Sequence, residues 1–224
     1  MLKNLDDFLL DSLERNEVVG GWGFNSNMNF TSMTPEETNV WFFEQVFNFL
    51  RAFFGIVVPD QLEVITYNAT KHINKQNLEH QTFLDELMLV MKGLNEPIWT
   101  LKVSLNMVGF LRTKHDPDKT LRLQIKEPCT FIIWGGPDET GFQSVTISYK
   151  LFSATVIDDE PQALWSMNQP ILEKALRKWE DQTGRIIDVV DSNGDLPVFR
   201  HGFDKPAPSS LTGNLFSGLP KVEV

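Results

Sequence analysis

The apolar positions of this 224-residue chain keep a helical period over much of the first hundred residues and an alternating one from about 98 to 151. Leu2, Leu5, Phe8, Leu9 and Leu13 recur at three- and four-residue steps, so residues 2–16 predict a short amphipathic helix that docks on a surface. Residues 18–33 follow with three Gly and several Asn and Ser around Trp22 and Phe24. They read as a loop with aromatic pegs.

Thr34-Pro35-Glu36-Glu37 is a strong helix start: a capping Thr, Pro at the first helical position and Glu three residues after the cap. The helix it opens carries Val40, Phe42, Phe43, Val46, Phe47, Phe49, Leu50, Phe53 and Phe54 around well over half its circumference. Only Glu44, Asn48 and Arg51 form a polar stripe, which predicts a helix central to the core. Pro59 is read as its end. Residues 60–77 combine β-branched content with helical spacing and are read here as helix. The helical period is clear again from Leu78 to Leu94, with Gly93 and Pro97 as stops.

The period then becomes two. Strands are predicted over 98–112, 121–134 and 143–151, joined by KHDPDK and GPDETG, as an antiparallel meander with one apolar and one wetter face. A helix from Pro170 to Gln182, stopped by Gly184, crosses the apolar face. RIIDVV and LPVF then form a hairpin around Asn193-Gly194. The expected fold class is α+β: N-terminal helices, three-stranded antiparallel β-meander, crossing helix and C-terminal β-hairpin. Residues 1–203 are expected to form one domain, with 204–224 as a Pro/Ser/Gly-rich extended tail.

Composition narrows the function classes. Seventeen Phe and six Trp against two Tyr favour dry burial of rings, since Tyr is the aromatic that carries a hydroxyl into wet interfaces. The single Cys129 excludes an internal disulfide and any multi-cysteine metal site, and in a strand-like run it reads as a buried, inert thiol. Acids near the N-terminus replace the positive region of a signal peptide, so a cytoplasmic location is expected. A formal charge of −10 repels nucleic-acid phosphates and anionic membranes unless cations are segregated, and neither partner is expected.

Candidate chemistry is sparse. In DVVDSNGDLPVF, Asp191, Asn193 and Asp195 alternate as calcium ligands do. However, the Gly and Glu positions of a calcium loop fall on Leu196 and Gly202, so a turn is the reading. His72 and His80 lack a metal-binding spacing, His115 lies in a predicted turn, and His201 has no carboxylate in obvious register. No nucleophile sits in a recognisable elbow. No catalytic residue, metal or cofactor is assigned.

Lys102, Arg122, Lys126 and Lys150 all count onto the wetter face of the meander, with no acid in its regular part. Such segregation in an acidic chain fits a docking face for an acidic partner, or else a solvated face balanced by acids of another element. In the tail, Leu211, Leu215, Phe216 and Leu219 are apolar anchors in a flexible background, with Leu215 and Phe216 as the expected contacts. The leading expectation is a non-enzymatic binding or assembly protein with a protein partner. A carrier of a small apolar ligand and a hydrolase with a dispersed site near His115 or His201 are the alternatives.

Overall fold

The structure, a computed structural model, describes residues 18–74, 79–113, 116–136, 139–148, 152, 161–192 and 198–204. Its helix α1 (Pro35–Ala52) starts as its sequence predicts. The Glu37 N–H donates to Thr34 Oγ1 at 3.2 Å, and the Thr34 N–H donates to the Glu37 carboxylate at 2.7 Å. Two free backbone donors are thereby satisfied reciprocally.

Seven strands form one antiparallel sheet in the order β3-β2-β4-β5-β6-β1-β7. They are β1 (Gly20–Asn25), β2 (Val57–Thr66), β3 (Thr70–Asn74), β4 (Ile98–Thr113), β5 (Asp116–Trp134), β6 (Phe142–Ile147) and β7 (Asp188–Ser192). A separate two-stranded sheet pairs β8 (Val198–Phe199) with β9 (Gly202–Phe203). Among the described residues three α-helices, α1, α2 (His80–Lys92) and α3 (Pro161–Thr183), complete the mixed α+β fold. The predicted meander is present as β4-β5-β6, but it is the middle of a larger sheet.

The core lies between the helices and the face bearing Leu101, Val103, Leu105, Phe131, Ile133 and Val145, all fully buried as their period-two spacing predicts. The Phe49 ring of α1 stacks on Phe131 at 3.9 Å. The Trp179 indole of α3 packs against Phe24, Phe49, Phe53 and Phe131 with ring centroids 5.0–6.1 Å apart. Cys129 is buried there, and burial pushes its thiol far above the ordinary range, so it is unreactive.

Several expectations are corrected. Residues 60–74 are not helical, and 75–77 lie outside the described residues: β2 and β3 form a hairpin in which Leu62 pairs with Ile73 and Val64 with Lys71. Their β-branched content wins because β4 supplies a partner for β2 along its whole length. Pro59 does not end a helix but sits at a β2 bulge beyond the β3 pairing, where its missing N–H removes no ladder bond to β3.

The Gly-rich run 20–25 is not a loop. As β1 it lies between β6 and β7, with Trp22 and Phe24 facing the core. Gly21 and Gly23 face the other way, and a Cβ on Gly23 would overlap the Gln143 carbonyl. Glycine here permits close strand approach and does not mark a turn.

Helix α3 begins at Pro161 and holds Pro170 inside it, on the exposed side. Gly184 ends it as expected, at φ +62°. Among the described residues RIIDVV and LPVF do not pair: β7 joins β1, while β8 turns back on β9 through Arg200 and His201. Asn193 and Gly194 lie outside the described residues, as do the tail from residue 205 and the predicted helix over 2–16. Strand β5 starts at Asp116, so Asp-Pro-Asp belongs to the strand and not to the connection.

Candidate functional site

Helix α1 is apolar on more sides than one sheet can cover. Phe42, Val46, Phe49 and Phe53 are buried, whereas Phe47 is 41% and Phe54 73% exposed. The expected helix central to the core, with Glu44, Asn48 and Arg51 as its polar stripe, is present, but the side of Phe47 and Phe54 stays open because, among the described residues, α2 and α3 flank α1 without closing over it.

The uncovered side lines an open groove of about 350 Å³ between α1, the start of α2 and α3, formed by Phe47, Leu50, Arg51, Phe54, His80, Gln81, Leu84 and Lys178. Its floor is apolar and its rim is cationic. Lys178 donates from Nζ to the Arg51 carbonyl at 2.7 Å. This places an ammonium at the carboxyl end of α1, where the free carbonyls attract positive charge. Arg51 has no carboxylate partner among the described residues.

His80 borders the groove with its ring 5.2 Å from that of Phe54. Burial lowers its pKa, and hydrogen bonding to the Val57 backbone opposes that shift. Its Nε2 is enclosed without a hydrogen-bond partner among the described residues. A neutral imidazole, two cations and a phenylalanine pair can receive an amphipathic group with a negative edge. No sequence motif marks this site. The available signal was the excess apolar width of α1, which also fits a fully buried helix.

A second polar cluster joins α3 to the β8–β9 hairpin. Glu180 accepts hydrogen bonds from the Ile187 N–H at 3.0 Å and from Arg200 Nε at 3.1 Å and Nη2 at 2.6 Å, with His201 Nε2 at 3.3 Å. Burial alone would raise its pKa, but the hydrogen bonds from Ile187, Arg200 and His201 prevail and hold the carboxyl below its ordinary value. His201 thus does have a carboxylate, on a helix and not in strand register. Because both oxygens of Glu180 are engaged by donors from two segments, the cluster suits fastening better than proton transfer.

Of the four cations expected to form one basic face, the structure describes the side chains of Lys102 and Arg122. Lys102 and Arg122 are exposed and share the face opposite the helices, but Arg122 pairs with Phe110, eight positions along β4 from Lys102. That spacing is about 27 Å. Glu63 of β2 stands directly opposite Lys102, and Asp188 and Asp191 of β7 count onto the same face at its far edge. Acids thus reach this face from β2 and β7. The side chains of Lys126 and Lys150, and all of Leu215, Phe216 and His115, lie outside the described residues.

Among the described residues no group of three His, Cys, Asp or Glu side chains could hold a metal ion, and no helix is long and apolar enough to cross a membrane. Comparison of the chain with protein-family models, curated proteins and solved structures finds no match.

Proposed function

We propose that this chain is a non-enzymatic binding or assembly protein that engages a protein partner. The observation that carries this reading is the groove, where Phe47 and Phe54 remain exposed beside Arg51 and Lys178. Large exposed rings are costly to keep in water and favourable to cover, and such anchors dominate binding energy at protein interfaces, where a flanking cation favours an acidic partner. The cations of the sheet face, Lys102, Arg122, Lys126 and Lys150, and the tail residues Leu215 and Phe216 enter the proposal as secondary contacts.

The test is the intact mass of the assembly purified from its native source under mild conditions. A mass above the 25.6 kDa of the chain, with stoichiometric additional protein, is expected. That protein is lost from the Arg51→Glu, Lys178→Glu variant if the groove is the main contact. Loss from the Lys126→Glu, Lys150→Glu variant instead assigns the contact to the sheet face. A bare monomer in every preparation removes the proposal.

A second reading is a carrier of a small apolar ligand, favoured by the volume and apolar floor of the same groove, which falls within the range of ligand sites. It predicts a small excess mass on an otherwise monomeric chain, absent from Leu84→Arg.

A further inference from the structure

We propose that the exposed ridge of α1 pairs with the same ridge of a second copy of this chain, antiparallel about a two-fold axis at Phe47. The ridge consists of Glu37, Val40, Glu44, Phe47 and Arg51, continued by Phe54 just past the end of the helix, and all six are exposed. Their steps of three and four residues are those of a helical seam and keep them on one side. Val40, Phe47 and Phe54 are 51%, 41% and 73% exposed and lie symmetrically about Phe47, at seven-residue steps. Charge reverses about the same point. Glu36, Glu37 and Glu44 precede Phe47, whereas Arg51 follows it, with Lys178 bonded to the Arg51 carbonyl.

A contact between identical copies about a two-fold axis needs a surface that complements itself under that rotation. Antiparallel rotation about Phe47 sets Val40 of each copy against Phe54 of the other, so the groove at the carboxyl end of α1 receives an apolar side chain. It also brings Glu44 of each copy beside Arg51 of the other, and the opposed helix dipoles add to the attraction. A parallel pairing would instead set Glu44 against Glu44 and Arg51 against Arg51, which like-charge repulsion opposes. The 18 residues of α1 span about 27 Å, a small contact by the standard of stable interfaces. Two chains of net charge −10 also repel each other at pH 7, so the pairing is weak and depends on concentration. This inference rests on the binding reading for its surface and names a second copy as the partner.

Sedimentation equilibrium of the purified full chain alone, over about a hundredfold range of concentration, tests it. The average mass should rise from 25.6 kDa towards twice that value. Glu44→Arg or Arg51→Glu alone should raise the dissociation constant about tenfold, because each sets like charges together on both sides of the axis. Combined, they exchange the signs without changing the net charge, and the constant should return to within about threefold of wild type. A short bis-maleimide reads the geometry, since Cys129 is buried and does not compete. Phe47→Cys should cross-link to itself. Val40→Cys should not, because its two copies stand about 21 Å apart along the helices, but mixed with Phe54→Cys it should. A monomer at every concentration overturns the proposal. So does a dimer that the charge variants leave unchanged, or one in which Val40→Cys cross-links to itself. None of these results removes the binding reading, because the preparation from the native source separately reports a different protein on the groove.

Discussion

Glu180 shows how a single side chain fastens distant parts of this fold. Its carboxylate holds Ile187 after α3 and the Arg200–His201 turn between β8 and β9. A carboxyl held below its ordinary value binds its proton less readily folded than unfolded. Its contribution is therefore complete above the unfolded value of about 4.3 and is lost as pH falls through the lower, folded value. Glu180→Gln should cost about 1–2 kcal/mol at pH 7, the scale of lost charge-assisted hydrogen bonds. The difference from wild type should shrink below about pH 4, as urea unfolding at pH 7 and pH 3.5 can measure. In the same hairpin Gly202 has φ +129°, and a Cβ there would overlap the Gln169 amide, which bonds the backbone of His201 and Phe203. Gly184 also has positive φ, at +62°, but nothing crowds it. Gly202→Ala should therefore cost about 2–3 kcal/mol and Gly184→Ala about 1 kcal/mol, by chemical denaturation.

At the scale of elements, the β4–β5 hairpin runs past the end of β2, so among the described residues part of β4 has no strand partner on that side. Asn168 of α3 fills the gap: its Oδ1 accepts from the Phe110 N–H at 2.7 Å and its Nδ2 donates to the Phe110 carbonyl at 2.8 Å. A side-chain amide here replaces one rung of a strand. Asn168→Leu keeps the volume but leaves that rung unpaired. It should cost about 2–3 kcal/mol and raise hydrogen exchange in the hairpin beyond Val108 more than in β6. This use of Asn168 could not be read from sequence, because Asn inside an amphipathic helix gives no sign of what its amide will meet. What could be read were features decided locally: the Thr34 capping box, the period-two faces of β4 to β6, and Gly184 as the stop of α3. The misreadings arose where a distant partner decided the outcome. Residues 60–74 became strands because β4 lay beside them, and the glycines of β1 served close packing between β6 and β7. The helical spacing of Leu164, Met167, Ile171 and Ala175 continues across Pro170. Giving that spacing more weight than the proline would have placed the start of α3 correctly.

For the whole molecule, charge and exposed apolar surface act against each other. The formal charge of −10 at pH 7 keeps copies apart, and that repulsion vanishes near the isoelectric point of about 4.9. Apolar surface that remains uncovered then decides whether copies adhere. Val40, Phe47, Phe54 and Leu89 are exposed on the helical side, with Phe47 and Phe54 beside the two cations of the groove. A neighbouring copy presents an acidic surface to those cations and apolar side chains to the rings, so the groove should be the point of first contact. Light scattering should accordingly rise as pH is lowered from 8 towards 5, and Phe47→Ser with Phe54→Ser should suppress most of the rise. Arg51→Glu with Lys178→Glu makes the net charge four units more negative and lowers the isoelectric point, so its rise should begin at lower pH. If the two serine substitutions leave the scattering curve unchanged, the adhesive surface lies elsewhere, and the half-buried Ile132, Trp134 and Phe142 on the opposite sheet face are the next positions to substitute.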